Sequence, residues 1–585
     1  MQKIIRRRPS IEIPESLQQN CPSILQAVYA QRGVLGEQEL NRGLGAMLKP
    51  DTMKGLDEAV ALLVDAVTEQ RKILIVGDFD ADGATSSALS MLALRAMGAH
   101  YVDYLVPNRF EYGYGLTPEI VEVAKGRSPD LIMTVDNGIS SIEGVAFAKE
   151  AGIKVLVTDH HLPGAETPSA DAIVNPNQRG CEFPSKNLAG VGVVFYLMIA
   201  LRAALRDAGW FSLQGIKEPN MGEFLDLVAL GTVADVVALD HNNRILVHQG
   251  LQRMRAGQLR PGIRALLDIA GRQLHRLVAS DMGFAVGPRL NAAGRLDDMS
   301  LGIECLLCDS DSLAREMAFE LDSLNKDRRA IEGSMQQEAM ADLKKLSLGE
   351  ESQIPWGLCL YDGSWHQGVV GILASRIKDQ YHRPVIAFAD ADNGEIKGSA
   401  RSIAGLHIRD ALDAVASANP GLLTKFGGHA MAAGLSLKQE NFQAFQVAFD
   451  RVVREQLSED DLQAVIFSDG GLSPQQINFD LACSLREAGP WGQHFPEPVF
   501  DGEFAIVQQR LVGEKHLKLV LQPLDDGKPA GEVVDAIAFN VDLELWPNPG
   551  ATQLRAAYRL DINEFRGQQS LQLMVEYLEP VSRSR

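Results

Sequence analysis

Three aspartates fall within five positions of GDFDADG, residues 77–83, directly after the apolar run KILIV at 72–76. Carboxylates this close repel one another unless a cation lies among them, so Asp78, Asp80 and Asp82 point to metal binding. Two other uses of such a loop fail on spacing. Read as an EF-hand opening at Asp78, its twelfth position is Leu89 where a bidentate Glu is required, and a strand-like run precedes it. Read as a phosphate-cradling loop, it has Ala84 and Thr85 after Gly83 where Lys and Ser/Thr are needed. A solvated acidic turn is the structural alternative.

Further ligand types stand at the ends of other apolar runs. Asp136 follows LIMTV at 131–135, and Asp159, His160 and His161 follow KVLVT at 154–158. In an open parallel sheet, ligands bind outside the carboxyl ends of the strands, so three strands would deliver these tips to one crevice. Alone, Asp136 reads as a helix cap and the histidines as surface residues. Asp235, in the apolar stretch LGTVADVV at 230–237, needs a partner of its own: a metal, or else an arginine or a cap.

The elements that must position these residues read as strand–helix alternation. Lys72–Val76, Tyr101–Val106, Leu131–Val135, Lys154–Thr158 and Ala172–Val174 are short apolar runs, and Ala84–Ala99 is helix-forming. Buried parallel strands with crossover helices have this pattern. Residues 195–305 are mainly helical. The stretch 311–346 is helix-forming and free of proline; if continuous it spans roughly 50 Å at 1.5 Å per residue, enough to join two domains. A second α/β pattern follows, with strands at Leu358–Tyr361 and Val385–Phe388 around a helix at Val369–Gln380. The tail has short strands at Glu503–Val507, Leu517–Leu521, Val533–Phe539, Arg555–Leu560 and Leu571–Tyr577, a pattern that fits a small barrel such as an OB-fold. The domain boundaries expected are 1–50 extension, 51–305 catalytic domain, 306–350 connecting helix, 351–456 second α/β domain and 457–585 barrel.

The chain has 585 residues, too many for one core. Its net charge of −20 argues against a surface built for indiscriminate duplex binding, though bound cations and a few arginines in one groove can still hold a phosphate backbone. Six scattered cysteines suit a reducing cytoplasm, and the lone CxxC at Cys305 and Cys308 reads as packing. No apolar run follows Arg6–Arg8 as a secretory signal requires, and the longest apolar stretch, Val191–Leu201, is too short to span a membrane.

Taken in order, GDFDADG, TVDNG, TDHH, GTVADVV, GPRLNAAGRL (287–296), SWHQGVVGI (364–372), GSARS (398–402) and GGHAMAAG (427–434) resemble the DHH phosphoesterase superfamily, and within it the single-strand-specific exonuclease branch. The likeness covers about 70–575. It implies a parallel-sheet DHH domain, a connecting helix, a smaller α/β DHH-associated domain and an OB-fold. It further implies two divalent cations, Mn²⁺ by preference and Mg²⁺ as a substitute. Asp80 would hold one ion, Asp82, His160 and Asp235 the other, and Asp136 would bridge them, with Asp78, Asp159 and His161 in support. Many relatives carry His where this chain has Val76, so one ion is expected to be less fully ligated.

The activity so implied is 5′-to-3′ hydrolysis of single-stranded DNA to mononucleotides, in repair and recombination, by in-line attack of a water that the ions activate, with His161 serving the leaving group. A terminal phosphate needs a pocket, for which Arg109, Arg289, Arg295, Ser399, Arg401, Gly428 and His429 are candidates; for the arginines a surface ion pair is the alternative. His366 is a weaker candidate. Single-strand specificity is expected from a narrow groove between the α/β domains, with the OB-fold feeding the strand and most of its aromatics in its core. Single-strand-binding protein and a helicase are expected partners of a monomeric enzyme. The alternatives are another activity of the superfamily, such as an oligoribonuclease or cyclic-dinucleotide phosphodiesterase, or a non-catalytic DNA-binding scaffold.

Overall fold

The computed structural model describes residues 3–18, 21–107, 112, 115–347 and 354–581. Five strands, β1 (Ile73–Gly77), β2 (Val102–Leu105), β3 (Leu131–Val135), β4 (Lys154–Thr158) and β5 (Ala172–Val174), form a sheet in the order β2-β1-β3-β4-β5. Every pairing is parallel. All residues of β1 and β3 are buried, because helices cover both faces of the sheet. The winding direction reverses between β1 and β3. That switch point leaves an open crevice at the strand ends, where GDFDADG and Asp136 lie.

Five helices bear on this crevice or leave it: α1 (Ala81–Ala96), α2 (Gly190–Asp207), α3 (Leu225–Ala234), α4 (Gly287–Leu296) and α5 (Asp311–Ser347). Small Ala, Gly and Ser residues let α1 bury nearly its whole circumference against α2 and α3. The polar stretch expected as one long helix is one, α5, of 37 residues.

Two compact units divide the chain: Arg8–Asn325 with Asp469–Arg585, and Lys326–Ser468 with the N-terminal strand. The first holds the parallel sheet and the barrel: one face of the sheet and the barrel interior form one continuous apolar cluster, and the other face of the sheet packs in a cluster of its own. Strands β11 (Phe500–Val512), β12 (His516–Asp525), β13 (Val534–Ala538), β14 (Gln553–Phe565) and β15 (Gln568–Pro580) close that barrel, since β11 pairs with both β12 and β14. The remaining pairs are antiparallel except β13 with β15, which is parallel. This is the OB arrangement. Phe504, Trp546 and Tyr558 fill its core, whereas Phe539 is exposed beside His516.

In the second unit β6 (Leu358–Tyr361), β7 (Val385–Asp390), β8 (Glu395–Arg401), β9 (Lys425–Gly428) and β10 (Ala432–Lys438) form a mixed sheet, β9-β10-β8-β7-β6. Its helix α6 (Val370–Tyr381) packs on β7 and β8. Residues near the N-terminus are divided between the units. Ile4–Arg7 pairs in parallel with Val465–Ser468, while Leu25 and Tyr29 enter the core of the first unit. All six cysteines are free, with Cys305 buried. No described helix is long and apolar enough to cross a membrane.

Candidate metal centre

The loop after β1 is bent so tightly that only glycine fits at two positions. A Cβ at Gly83 would collide with the Asp78 carbonyl, and one at Gly77 with the Ser87 hydroxyl. Asp80 caps α1, one oxygen accepting from the N–H groups of Asp82 and Gly83 at 3.0 Å each. Asp82 lies inside the first turn of α1. Its two oxygens accept from the N–H groups of Gly190 (2.6 Å) and Val191 (2.9 Å) at the start of α2. Burial and the charge of Asp80 still push its carboxyl up to about 7.

Asp136 ends β3 in left-handed backbone, φ +62°, and is buried. Gly190 makes room for it; a Cβ there would stand 2.6 Å from that of Asp136. Next to it the Asn137 amide donates to the carbonyls of Val76 and Val135, tying the ends of β1 and β3 together. Burial and then the neighbouring carboxylates hold Asp136 well above the ordinary carboxyl range. Asp235 terminates α3 and is shifted the same way, as is Asp78, for the same two reasons.

His160 closes the cluster. Its Nε2 lies 3.1 Å from Asp136 Oδ1, 3.4 Å from Asp235 Oδ2 and 3.9 Å from Asp82 Oδ2. Asp159 has a different task. Its Oδ1 accepts from the N–H groups of His160 and His161 and meets His161 Nδ1 at 2.7 Å, and its Oδ2 accepts from Ile139 N–H. Oδ1 is thus occupied in fixing the histidines, while Oδ2 anchors Asp159 to the segment after β3. Burial works against the charge on His161, but the Asp159 bond and charge outweigh it and raise the imidazole to about 9.

Among the described residues, donor atoms gather into three groups, each within 4.8 Å: Asp82, His160 and Asp235; Asp78, Asp80 and Asp136; and Asp136, His160 and His161. The third group joins the other two. Five carboxylates held this close, several buried and raised mainly by burial and one another's charge, fit divalent cations. The mixed oxygen and imidazole donors suit Mn²⁺ or Mg²⁺. Val76 belongs to the apolar layer with Leu74 and Ile132 and offers no ligand.

The phosphate candidates fall in several places. Arg109 lies outside the described residues. Arg289 is buried in α4 and donates to Asp322 of α5 (Nε–Oδ1 2.9 Å) and to the Ala285 carbonyl. Arg295 is half-buried at the end of α4. In the second unit Ser399, Arg401, Gly428 and His429 lie on neighbouring strands and the β9–β10 turn: Ser399 and Arg401 pair with Gly434 and Ala432, and His429 N–H donates to the Ala432 carbonyl. Arg401 bonds to Ser399 and Ala400, and burial lowers its pKa. His366 accepts from Gly368 N–H. Asn291 went unnoticed in the sequence, although it sits in GPRLNAAGRL. Its Oδ1 accepts from Ala81 N–H at 2.7 Å and braces the metal loop, and Gly294 lets α4 approach the Phe79 carbonyl.

Comparison with known proteins gives matching assignments along the chain. Residues 72–232 match the DHH family N-terminal domain, 356–455 the DHHA1 domain and 468–577 the RecJ OB domain. The chain is 57% identical over 579 residues to the single-stranded-DNA-specific exonuclease RecJ of Dickeya dadantii, covering 99% of both chains. Against the RecJ of Escherichia coli it is 56% identical, covering 99% of this chain and all of that one. The crystal structure of Thermus thermophilus RecJ with Mn²⁺ superposes with a TM-score of 0.78 at 29% identity, over 99% of this chain and 80% of that one. The same protein with Mg²⁺ gives a TM-score of 0.74 at 26% identity.

Proposed function

The chain belongs to the RecJ family of DHH exonucleases, and from that membership we propose that it is a metal-dependent exonuclease that degrades single-stranded DNA from the 5′ end. The observation that carries the reading is the pair of ligand groups, Asp82–His160–Asp235 and Asp78–Asp80–Asp136, joined at Asp136 and His160. Two divalent cations bound there would lower the pKa of a water and stabilise charge on the attacking and leaving oxygens. Asp136, which stands in both the second and the third of the three donor groups, would serve as a ligand common to the two ions. Asp159 holds His161 by Nδ1, which leaves His161 Nε2 to hand a proton to the departing 3′ oxygen.

Breaking the bond between phosphorus and that 3′ oxygen releases a 5′-mononucleotide and leaves a 5′-phosphate on the shortened strand. Each turnover therefore regenerates the end group that recognition needs. Ser399, Arg401, Gly428 and His429, gathered at one end of a sheet, are the proposed phosphate donors. Such an enzyme serves DNA repair and recombination in the cytoplasm, on strands supplied by a helicase and coated by single-strand-binding protein, and acts as a monomer.

Digestion of an end-labelled oligonucleotide with Mn²⁺, Mg²⁺ or chelator tests the reading. Loss of the 5′ label first, as mononucleotide and only with metal, is expected. Preference for short RNA or a cyclic dinucleotide would reassign the substrate, and metal-independent binding without product would mean a scaffold.

A further inference from the structure

A π-helical turn, Met282–Val286, runs directly into α4. Along this continuous helix Phe284, Pro288, Asn291 and Arg295 recur at intervals of four, three and four residues, so they share one side. Every other residue from 285 to 294 is buried, which makes this stripe the open side of the helix. The helix borders the metal centre at two points, one of them on this stripe. Asn291 bonds the metal loop at Ala81, and Gly283 and Gly287 lie against Val233 and Ala234, the residues leading into Asp235.

Phe284 is out of keeping with its neighbours. Met282, Ala285 and Val286 are buried, yet Phe284 leaves 77% of its surface in water. Val236, just past Asp235, is 62% exposed at a backbone φ of +63°. An aromatic ring held in solvent contributes nothing to the core beneath it, and π-helical turns recur at functional sites. From Phe284 to Asn291 is about 10 Å along the helix.

We propose that Phe284 is a base-stacking residue, and that the strand entering the metal centre lies along the open side of this helix with a nucleobase against the ring. Aromatic stacking suits an enzyme that must accept any sequence, because every base has a π-face. This rests on the reading of the chain as a single-strand exonuclease.

The test compares the wild-type chain with Phe284→Ala and Phe284→Trp on a 5′-phosphorylated oligonucleotide carrying 2-aminopurine near its 5′ end. Phe284→Ala is expected to raise KM about tenfold, the scale of one lost base–aromatic stack. It should abolish the quenching of 2-aminopurine on binding while leaving kcat and Mn²⁺ affinity near wild type. Phe284→Trp should restore both KM and quenching. Wild-type cleavage with an unchanged KM and equal quenching in Phe284→Ala would overturn the stacking role alone. A wild-type chain that binds Mn²⁺ but shortens no oligonucleotide would overturn the exonuclease reading, and this proposal with it.

Discussion

At the scale of single residues, Asp136 combines three features that rarely coincide. It is buried, it occupies left-handed backbone, and its carboxyl faces other carboxyls. Asparagine tolerates that backbone and removes only the charge. Asp136→Asn should therefore cut cleavage by at least about 10²-fold, the scale of losing one transition-state-stabilising group, without lowering the thermal stability of the metal-free protein. Unaltered turnover would remove Asp136 from its joining position. The same electrostatics set a pH dependence. Asp78, Asp136 and Asp235 have folded-state pKa values well above the ordinary range, and Asp82 is raised to about 7. Between the unfolded pKa near 4 and these values the folded state binds more protons, so its stability falls as pH rises through that window. Chelated protein should melt higher at about pH 6 than at pH 8, and saturating Mn²⁺ should flatten the trend by neutralising the carboxylates. Melting curves with parallel slopes in chelator and in Mn²⁺ would contradict this.

At the scale of elements, α4 is the brace of the site. Arg289 ties it to α5 through Asp322, and Asn291 ties it to the loop after β1. With both side chains of the Arg289–Asp322 pair at most 10% exposed, removing one partner leaves a buried charge. Arg289→Ala should cost about 3 kcal/mol in urea unfolding. If Arg289 instead served only a substrate phosphate, stability would hold and KM alone would rise. From the sequence this arginine was indistinguishable from a phosphate ligand, because its partner Asp322 lies 33 positions away on another helix. The strands of the parallel sheet were legible to within a residue or two, since runs such as LIMTV and KVLVT are buried on both faces and bounded by polar turns. Strands β8 and β10 were not read as strands. Glycine and alanine blur the alternation in GSAR and AAGLSLK, and only the burial of every second side chain reveals it. The candidate ligands stood out because their carboxylates and imidazoles lie at, just after or within apolar runs. Asn291 did not, since an amide that accepts one backbone N–H leaves no pattern in composition or spacing.

At the scale of the molecule, the barrel and one face of the DHH sheet share one apolar cluster. Trp491 and Phe495 stack with Tyr29, the Arg244 guanidinium lies over the Phe495 ring at 4.2 Å, and Arg276 pairs with Glu564 at 2.8 Å. A chain truncated after Ser468 should therefore lose cooperative unfolding and aggregate, rather than persist as a smaller active nuclease; calorimetry of the truncated chain checks this. The central claim is that side chains from four separate segments, residues 78–82, 136, 159–161 and 235, converge on two cations. Anomalous diffraction from crystals grown with Mn²⁺ tests it most directly. Two peaks are expected, one among Asp82, His160 and Asp235 and one among Asp78, Asp80 and Asp136. A crevice without manganese, or a single ion bound away from these residues, would contradict the account.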